Sequence, residues 1–348
     1  MLRFARGLCS RLRRRGRALA AAAPSAPNDG RLGEGIAHRT VFVNGINMHV
    51  SEKGDGPVVL LLLHGFPELW YTWRHQMHRL AALGYRAVAP DLRGFGDTEV
   101  PADPRDYSIF HIVGDLIELI DKLGQDQVFV VGHDWGSMVA WNLSMFRPDK
   151  VRAMVNLSQA FTPRSPSRKS LEYLRSAFGD DYYICRFQEP GKIEAEFASY
   201  GTAWVLKKFL TYRNPGPFYI TKDQGWSLPS EIPLPSWLSE FDIDYYSNKY
   251  EKTGFTGGLN YYRALDLNWN LTAPWTNARI NVPVKFIVGD LDLTYHAPGA
   301  QDFIHKGGLK NFVPSLKEVV VMEGVGHFIN EEKPDEISEH ISDFIKSF

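Results

Sequence analysis

The chain has 348 residues, 44% of them hydrophobic and 23% charged, with a formal net charge of −1. Those figures describe globular material, and they exclude both a disordered chain and one that grips nucleic acid through overall charge. The longest strongly apolar run, residues 58–63, falls far short of the ~20 residues needed to cross a bilayer, which excludes an integral membrane protein.

In chain order, the first feature is a basic arm. Residues 1–36 hold eight Arg against Asp29 and Glu34, a local charge of +6 that leaves −7 on residues 37–348. The first 28 residues contain seven Arg, seven Ala and no acid. That is the composition of an organelle transit peptide; a secretory signal needs an apolar core, which this segment lacks. The expectation is a chloroplast or mitochondrial protein if the arm is such an address, and a cytoplasmic protein with a disordered basic arm otherwise. Lys346-Ser347-Phe348 is not the peroxisomal tripeptide. The sequons at Asn142, Asn156 and Asn270 carry little weight without a secretory signal. With only Cys9 and Cys185 present, neither a disulfide framework nor a cysteine metal site is available.

Beyond the arm, residues 40–43 and 47–50 flank Asn44-Gly45, the signature of a β-hairpin. Residues 58–63 then form a continuous apolar run, as expected for a strand buried on both faces of a parallel sheet. Residues 85–90, 127–131, 151–157, 282–288 and 318–322 repeat the type. Helical periodicity separates them at 69–83, 109–123, 138–146 and 337–345, with Ile112, Leu116, Leu119 and Ile120 on one face of the second. Such alternation predicts an α/β fold whose mostly parallel sheet is covered by helices on both faces.

The alternation stops near Gln159 and resumes near Ile280. The stretch between is rich in Tyr, Trp, Phe and Pro, as in Asp181-Tyr182-Tyr183 and Trp226-Ser-Leu-Pro, and has helical periodicity without a buried-strand run. A segment of ~120 residues is too long for a loop in a compact domain. It reads as an inserted, mainly helical cap over the carboxyl edge of the sheet, where open α/β folds bind ligands. The chain therefore divides into a basic arm (1–36), a first core part (37–158), a cap (159–279) and a second core part (280–348).

The chemistry is concentrated at strand ends. Residues 127–131 run into Gly132-His133-Asp134-Trp135-Gly136 and then a helix, the strand–turn–helix of a nucleophile elbow. Glycine is needed two places either side of the centre because a Cβ there would clash, and the central residue is strained. That residue is usually Ser. Here it is Asp134, and a carboxylate displaces at saturated carbon to give an alkyl ester where a Ser alkoxide would acylate. Taken alone, Gly-x-Asp-x-Gly also fits a tight turn with a capping Asp.

The surroundings favour the elbow. His64-Gly65-Phe66-Pro67 ends the preceding buried strand, so the Phe66 N–H can join that of Trp135 as a two-donor oxyanion hole. Downstream, 282–288 ends in Gly289-Asp290-Leu291-Asp292, and the last apolar run is followed by Gly324-Val325-Gly326-His327. Nucleophile, acid, His is the chain order of the α/β-hydrolase core. Of the two acids, Asp292 is the better candidate, since a residue just beyond the strand can turn back to His327. No cofactor or metal is implied, because His133 beside Asp134 is not a ligand spacing.

From about residue 37 onward, the body resembles the plant-type soluble epoxide hydrolases of the α/β-hydrolase superfamily. The resemblance rests on His64-Gly65-Phe66-Pro67, Asp91-Leu-Arg93-Gly94-Phe-Gly96 and Gly132-His-Asp134-Trp135-Gly136. Two cap segments add to it: Tyr183-Ile-Cys-Arg-Phe-Gln188-Glu189-Pro190-Gly191 and Gly258-Leu-Asn260-Tyr261-Tyr262-Arg263. Thr98 stands where many relatives have Ser. The arm lies outside the resemblance. What the resemblance implies is a lipophilic epoxide, of a fatty acid or an aryl-alkyl group, as the small-molecule partner beside water. It also implies Tyr183 and Tyr262 as the cap tyrosines of the site, and Phe66, Pro67, Trp135 and the two tyrosines as its substrate wall. The chemistry suits them. Ring opening leaves an alkoxide more basic than phenolate, so a phenol of pKa ≈ 10 can donate its proton as charge develops. Tyr182 and Tyr261 are the adjacent alternatives.

Two other readings share parts of this pattern. A haloalkane dehalogenase has the Asp nucleophile and following Trp, but releases halide and needs no proton, which paired cap tyrosines argue against. A hydrolase-fold receptor for a small hydrophobic ligand has no need to keep nucleophile, acid and His together.

Overall fold

The computed structural model describes residues 35–223, 225–226 and 231–348. The basic arm up to residue 34, on which the targeting expectation rests, lies outside the described residues, as does most of Trp226-Ser-Leu-Pro. Eight strands form one sheet: β1 Ala37–Val43, β2 Ile46–Lys53, β3 Val59–Leu63, β4 Arg86–Pro90, β5 Val128–His133, β6 Val151–Leu157, β7 Val284–Gly289 and β8 Leu316–Met322. Their order is β1-β2-β4-β3-β5-β6-β7-β8. The hairpin β1–β2 joins β4 in antiparallel fashion, and every pairing from β4 to β8 is parallel. The sheet is thus mostly parallel, as expected. The Leu-rich β3 is wholly buried at its centre, with Leu60 opposite Phe129 and Leu63 opposite Gly132.

Helices α1 (Arg74–Ala82), α2 (Ile109–Lys122) and α3 (Trp135–Phe146) connect the first parallel strands. The chain leaves β3 toward β4 and leaves β5 in the other direction toward β6. Right-handed crossovers in opposite directions put α1 and α3 on opposite faces and open a crevice between the ends of β3 and β5. Helix α2 buries Ile112, Leu116, Leu119 and Ile120, and Ser108 caps it by accepting the His111 N–H. The expected helix at 69–83 is broken at its start. Asp91 Oδ1 accepts the Trp70 N–H at 2.9 Å, Trp70–Trp73 winds as a 3₁₀ turn, and the α-helix begins only at Arg74.

Between β6 and β7 come α4 (Ser170–Phe178), α5 (Tyr183–Arg186), α6 (Lys192–Tyr200), α7 (Thr202–Leu210), α8 (Glu240–Thr253), α9 (Thr256–Arg263) and α10 (Leu265–Leu271). Among the described residues, the strand-like pairing in this segment is limited to the bridges Tyr182–Tyr219 and Thr221–Gly225. Phe66, from the end of β3, packs into these helices with Phe187, Phe209, Phe255 and Tyr262 at centroid distances of 5.4–6.4 Å. Polar contacts tie the same layers: Arg74 bridges Asp242 of α8 and Glu331, and Tyr261 of α9 donates to the Arg93 carbonyl at 2.9 Å. The chain ends with α11 (Ala300–His305), α12 (Gly308–Phe312), α13 (Ile329–Glu332) and α14 (Pro334–Ile345). The short helices α11 and α12 carry too few turns to leave a periodic pattern. No helix among the described residues is long and apolar enough to cross a membrane.

Candidate active site

Asp134 stands at the end of β5 with φ 51° and ψ −117°, a conformation that L-residues adopt only under constraint. The constraint is close packing. A Cβ on Gly136 would lie 2.0 Å from the Leu63 carbonyl oxygen, and one on Gly132 would lie 2.5 Å from the Gly136 oxygen. Strand β3 therefore runs against the elbow itself, and the turn that follows it delivers a hydrogen bond. The Phe66 N–H donates to Asp134 Oδ1 at 2.8 Å. Asp134 Oδ2 lies 3.4 Å from His327 Nε2.

On its other side, His327 Nδ1 is 3.0 Å from Asp292 Oδ1. That carboxylate is buried and also accepts the Thr294 N–H (2.8 Å) and hydroxyl (2.9 Å). Asp290 is committed elsewhere: its Oδ1 accepts the Gly324 N–H in the turn before His327. Burial pulls the His327 pKa down, but Asp292 and Asp134 together hold it well above the ordinary histidine value. Burial works against Asp292 too, and the His327 charge and hydrogen bonds outweigh it, holding the carboxyl at about 2. The resting site is therefore an imidazolium between two carboxylates.

A cavity opens over Asp134 and His327, walled by Phe66, Tyr183, Tyr262 and the apolar side chains of Phe209, Phe218, Leu293 and Phe328, with Tyr212 beside them. The Tyr183 and Tyr262 rings meet edge to face at 6.0 Å. Burial first, and nearby negative charge including Asp134 second, raise both phenols well above 10, so both remain proton donors at neutral pH. Their neighbours have structural roles. Tyr261 donates to the Arg93 carbonyl, and Tyr182 stacks on Phe178 at 4.4 Å. Two of the residues expected in the substrate wall are set back from it. Pro67 is buried outside the cavity, and Trp135, also absent from its lining, packs its ring edge-on against Tyr262 at 5.0 Å.

Two further parts of the site went unread in the sequence. Ser158, one residue past β6, has its Oγ 3.0 Å from His327 Nδ1. Glu68 and His133 form a fully buried pair at 2.8 Å. Glu68 also accepts the Gly65 N–H (2.7 Å) and the Thr72 hydroxyl (2.8 Å), while His133 Nε2 donates to the His327 carbonyl at 2.7 Å. With an acceptor at each ring nitrogen, His133 must be an imidazolium. One ion pair thus ties the peptide before the oxyanion donor, the residue before Asp134, and the backbone of His327. A buried His inside the elbow motif was the only signal, and it says nothing of a partner 65 residues away.

The sign of its pH dependence follows. Burial pushes Glu68 up, but His133 outweighs it and lowers the carboxyl from its ordinary 4.5 to about 2; this stability is present above 4.5 and lost as pH falls toward 2. Burial pulls His133 down, but Glu68 outweighs it and the net shift is upward; this stability is present below 6.5 and lost as pH rises through the raised value. Both are complete between 4.5 and 6.5. Glu68→Ala strands the imidazolium, and at pH 6 should cost roughly 3–5 kcal/mol in urea unfolding. The gap from wild type should narrow as pH drops below 4.5. An equal gap at pH 6 and pH 3 would show that the pair does not carry the difference.

Residues 58–334 match the family model for the alpha/beta hydrolase fold. Epoxide hydrolase 2 of Siraitia grosvenorii is 60% identical over 316 residues, which is 90% of this chain and 100% of the relative. Among solved structures, potato (Solanum tuberosum) epoxide hydrolase I is 57% identical with a TM-score of 0.86, covering 90% of this chain and 100% of that one. An epoxide hydrolase from Vigna radiata is 58% identical with a TM-score of 0.88, covering 90% and 99%.

Proposed function

The chain belongs to the epoxide hydrolases of the α/β-hydrolase fold, and from that footing we propose that it converts lipophilic epoxides and water to vicinal diols through an alkyl ester on Asp134. One observation carries the reading: Asp134 Oδ1 already holds the Phe66 N–H while Oδ2 lies toward His327. Oδ1 is thus the carbonyl oxygen of the coming ester and Oδ2 is the attacking atom. In the first step Oδ2 bonds to a ring carbon, the ring C–O bond breaks, and Tyr183 or Tyr262 gives its proton to the departing oxygen.

In the second step His327, which releases its Nε2 proton to solvent once Asp134 is an uncharged ester and takes one back when the carboxylate is restored, accepts a proton from water at Nε2, and the hydroxide adds to the ester carbon. The oxyanion on Oδ1 sits on the N–H of Phe66 and on that of Trp135, the first residue of α3 and so without a helical acceptor. Collapse breaks the acyl C–O bond. The diol leaves with the former Oδ2 and the proton from His327, and the regenerated carboxyl returns the other proton to the tyrosinate. Asp292 orients the base throughout.

The walls explain the preference for a lipophilic substrate. Phe66, Phe209, Phe218, Leu293 and Phe328 offer apolar surface, worth roughly 25 cal/mol per Å² removed from water. Epoxy fatty acids and aryl-alkyl epoxides fit that lining. A panel of such epoxides, assayed for diol with chloroalkane and halide release alongside, tests the activity. Diol without halide is the expected result, and halide release at comparable rates would overturn it. For the arm, we propose delivery to a chloroplast or mitochondrion. A fluorescent protein fused to residues 1–36 should enter one of these organelles, and removing the arm should leave turnover unchanged. Diffuse cytosolic fluorescence would refute the targeting role alone.

A further inference from the structure

Ser158 is the first residue beyond β6, buried, with φ +72°. Left-handed backbone is unfavourable for a serine, and here it is fixed from both ends. Its N–H donates to the Ile287 carbonyl at 2.8 Å, and its own carbonyl accepts the Thr294 hydroxyl at 3.0 Å. The result is to place Oγ 3.0 Å from His327 Nδ1, on the nitrogen that also faces Asp292 Oδ1 at 3.0 Å. The hydroxyl also acts on the Asp292 carboxylate, adding to what keeps it ionised. The Nδ1–H therefore has two acceptors in a three-centre arrangement, one an anion and one a hydroxyl.

We infer that Ser158 is a positioning residue for the hydrolytic half of the reaction, holding the His327 ring on line once Asp134 has become an ester. The inference rests on Asp134 as nucleophile and His327 as base. Before alkylation the ring is held from both sides, by Asp292 and Ser158 at Nδ1 and by the Asp134 carboxylate at Nε2. Alkylation removes the negative charge at Nε2 and puts a water there. From that moment the direction of Nε2 depends on the Nδ1 side alone. Asp292 supplies the charge; Ser158, from another strand end, stops the ring pivoting about that single bond. The ring-opening step needs no such control, because Oδ2 attacks without a base.

Single-turnover kinetics on Ser158→Gly and Ser158→Ala separate these steps. Gly adopts φ +72° without strain, so it removes the hydroxyl while keeping the fold even if the Ala variant is poorly folded. Alkylation should proceed at the wild-type rate in both. Ester hydrolysis should slow by about 10- to 100-fold, the worth of one hydrogen bond to a charged group. In steady state kcat and KM should then fall together with kcat/KM unchanged, and intact mass should show the ester accumulating. A Gly variant that hydrolyses the ester at the wild-type rate, or one in which both steps slow equally, overturns the assignment. His327→Gln in the same assay keeps the two readings apart. If it accumulates ester and Ser158→Gly does not, Ser158 alone is misassigned; if it turns over normally, the base itself is.

Discussion

His327→Gln should consume one equivalent of epoxide and stop, leaving the protein heavier by one substrate mass. The attack needs only Asp134 Oδ2, a free path to the ring carbon, and a proton from a cap tyrosine; none of these is on His327. The second step needs a base. In the resting site His327 is held protonated by Asp292 and Asp134 together. Conversion of Asp134 to a neutral ester removes one of those charges, so the His327 pKa falls when the base is required. The same loss of charge makes Tyr183 and Tyr262 more acidic, since Asp134 is among the groups raising both.

Replacing the imidazole by an amide removes the base, so ester hydrolysis should slow by at least about 10³-fold while alkylation is retained. In wild type, ester hydrolysis should quicken as pH rises through the His327 value of the alkylated enzyme, which lies below that of the free enzyme. Oxygen labelling gives an independent reading. A single turnover in ¹⁸O-water with excess enzyme should give unlabelled diol, because the added oxygen is Oδ2, and label should reach the Asp134 peptide over many turnovers. Labelled diol in the first turnover, with no adduct on His327→Gln, would mean that water attacks the ring and Asp134 acts only as a base.

Much of the site was legible because its chemistry imposes steric demands at short range. Gly132 and Gly136 are required by the packing of β3 against the elbow, and that requirement is written within five residues. Asp292 was separable from Asp290 because the residue farther past the strand can turn back to His327, whereas Asp290, the first residue after β7, is used on the Gly324 N–H. Side-chain direction was harder. Chain neighbours of the nucleophile are expected in the substrate wall, yet Trp135 does not line the cavity and meets Tyr262 with the edge of its ring. The two tyrosines came from resemblance, because periodicity cannot tell which of two adjacent cap tyrosines meets the cavity. Ser158 and Glu68–His133 were out of reach, being contacts across 169 and 65 residues that only the assembled sheet brings together.

Tyr183→Phe with Tyr262→Phe is expected to nearly abolish diol formation while leaving the fold intact. Phenylalanine keeps the ring packing, edge to face at 6.0 Å between the pair and against Phe66, Phe187 and Trp135, so only the hydroxyls are lost. Without them the departing oxygen must develop as an alkoxide in an apolar cavity, where an unpaired charge is strongly disfavoured. Water cannot readily take over, since the walls are aromatic and the His327 cation is engaged by Asp292 and Asp134. Each single change should lower the rate about 10- to 100-fold, since the remaining phenol can still donate, and the pair should reach the upper range of general acid catalysis, about 10⁴-fold. The loss must fall on alkylation, the reverse of the His327→Gln pattern, so the double variant should show no adduct by intact mass. A double variant that forms ester at the wild-type rate on several epoxides would mean that the proton comes from another group, and that Tyr183 and Tyr262 serve only as cavity walls.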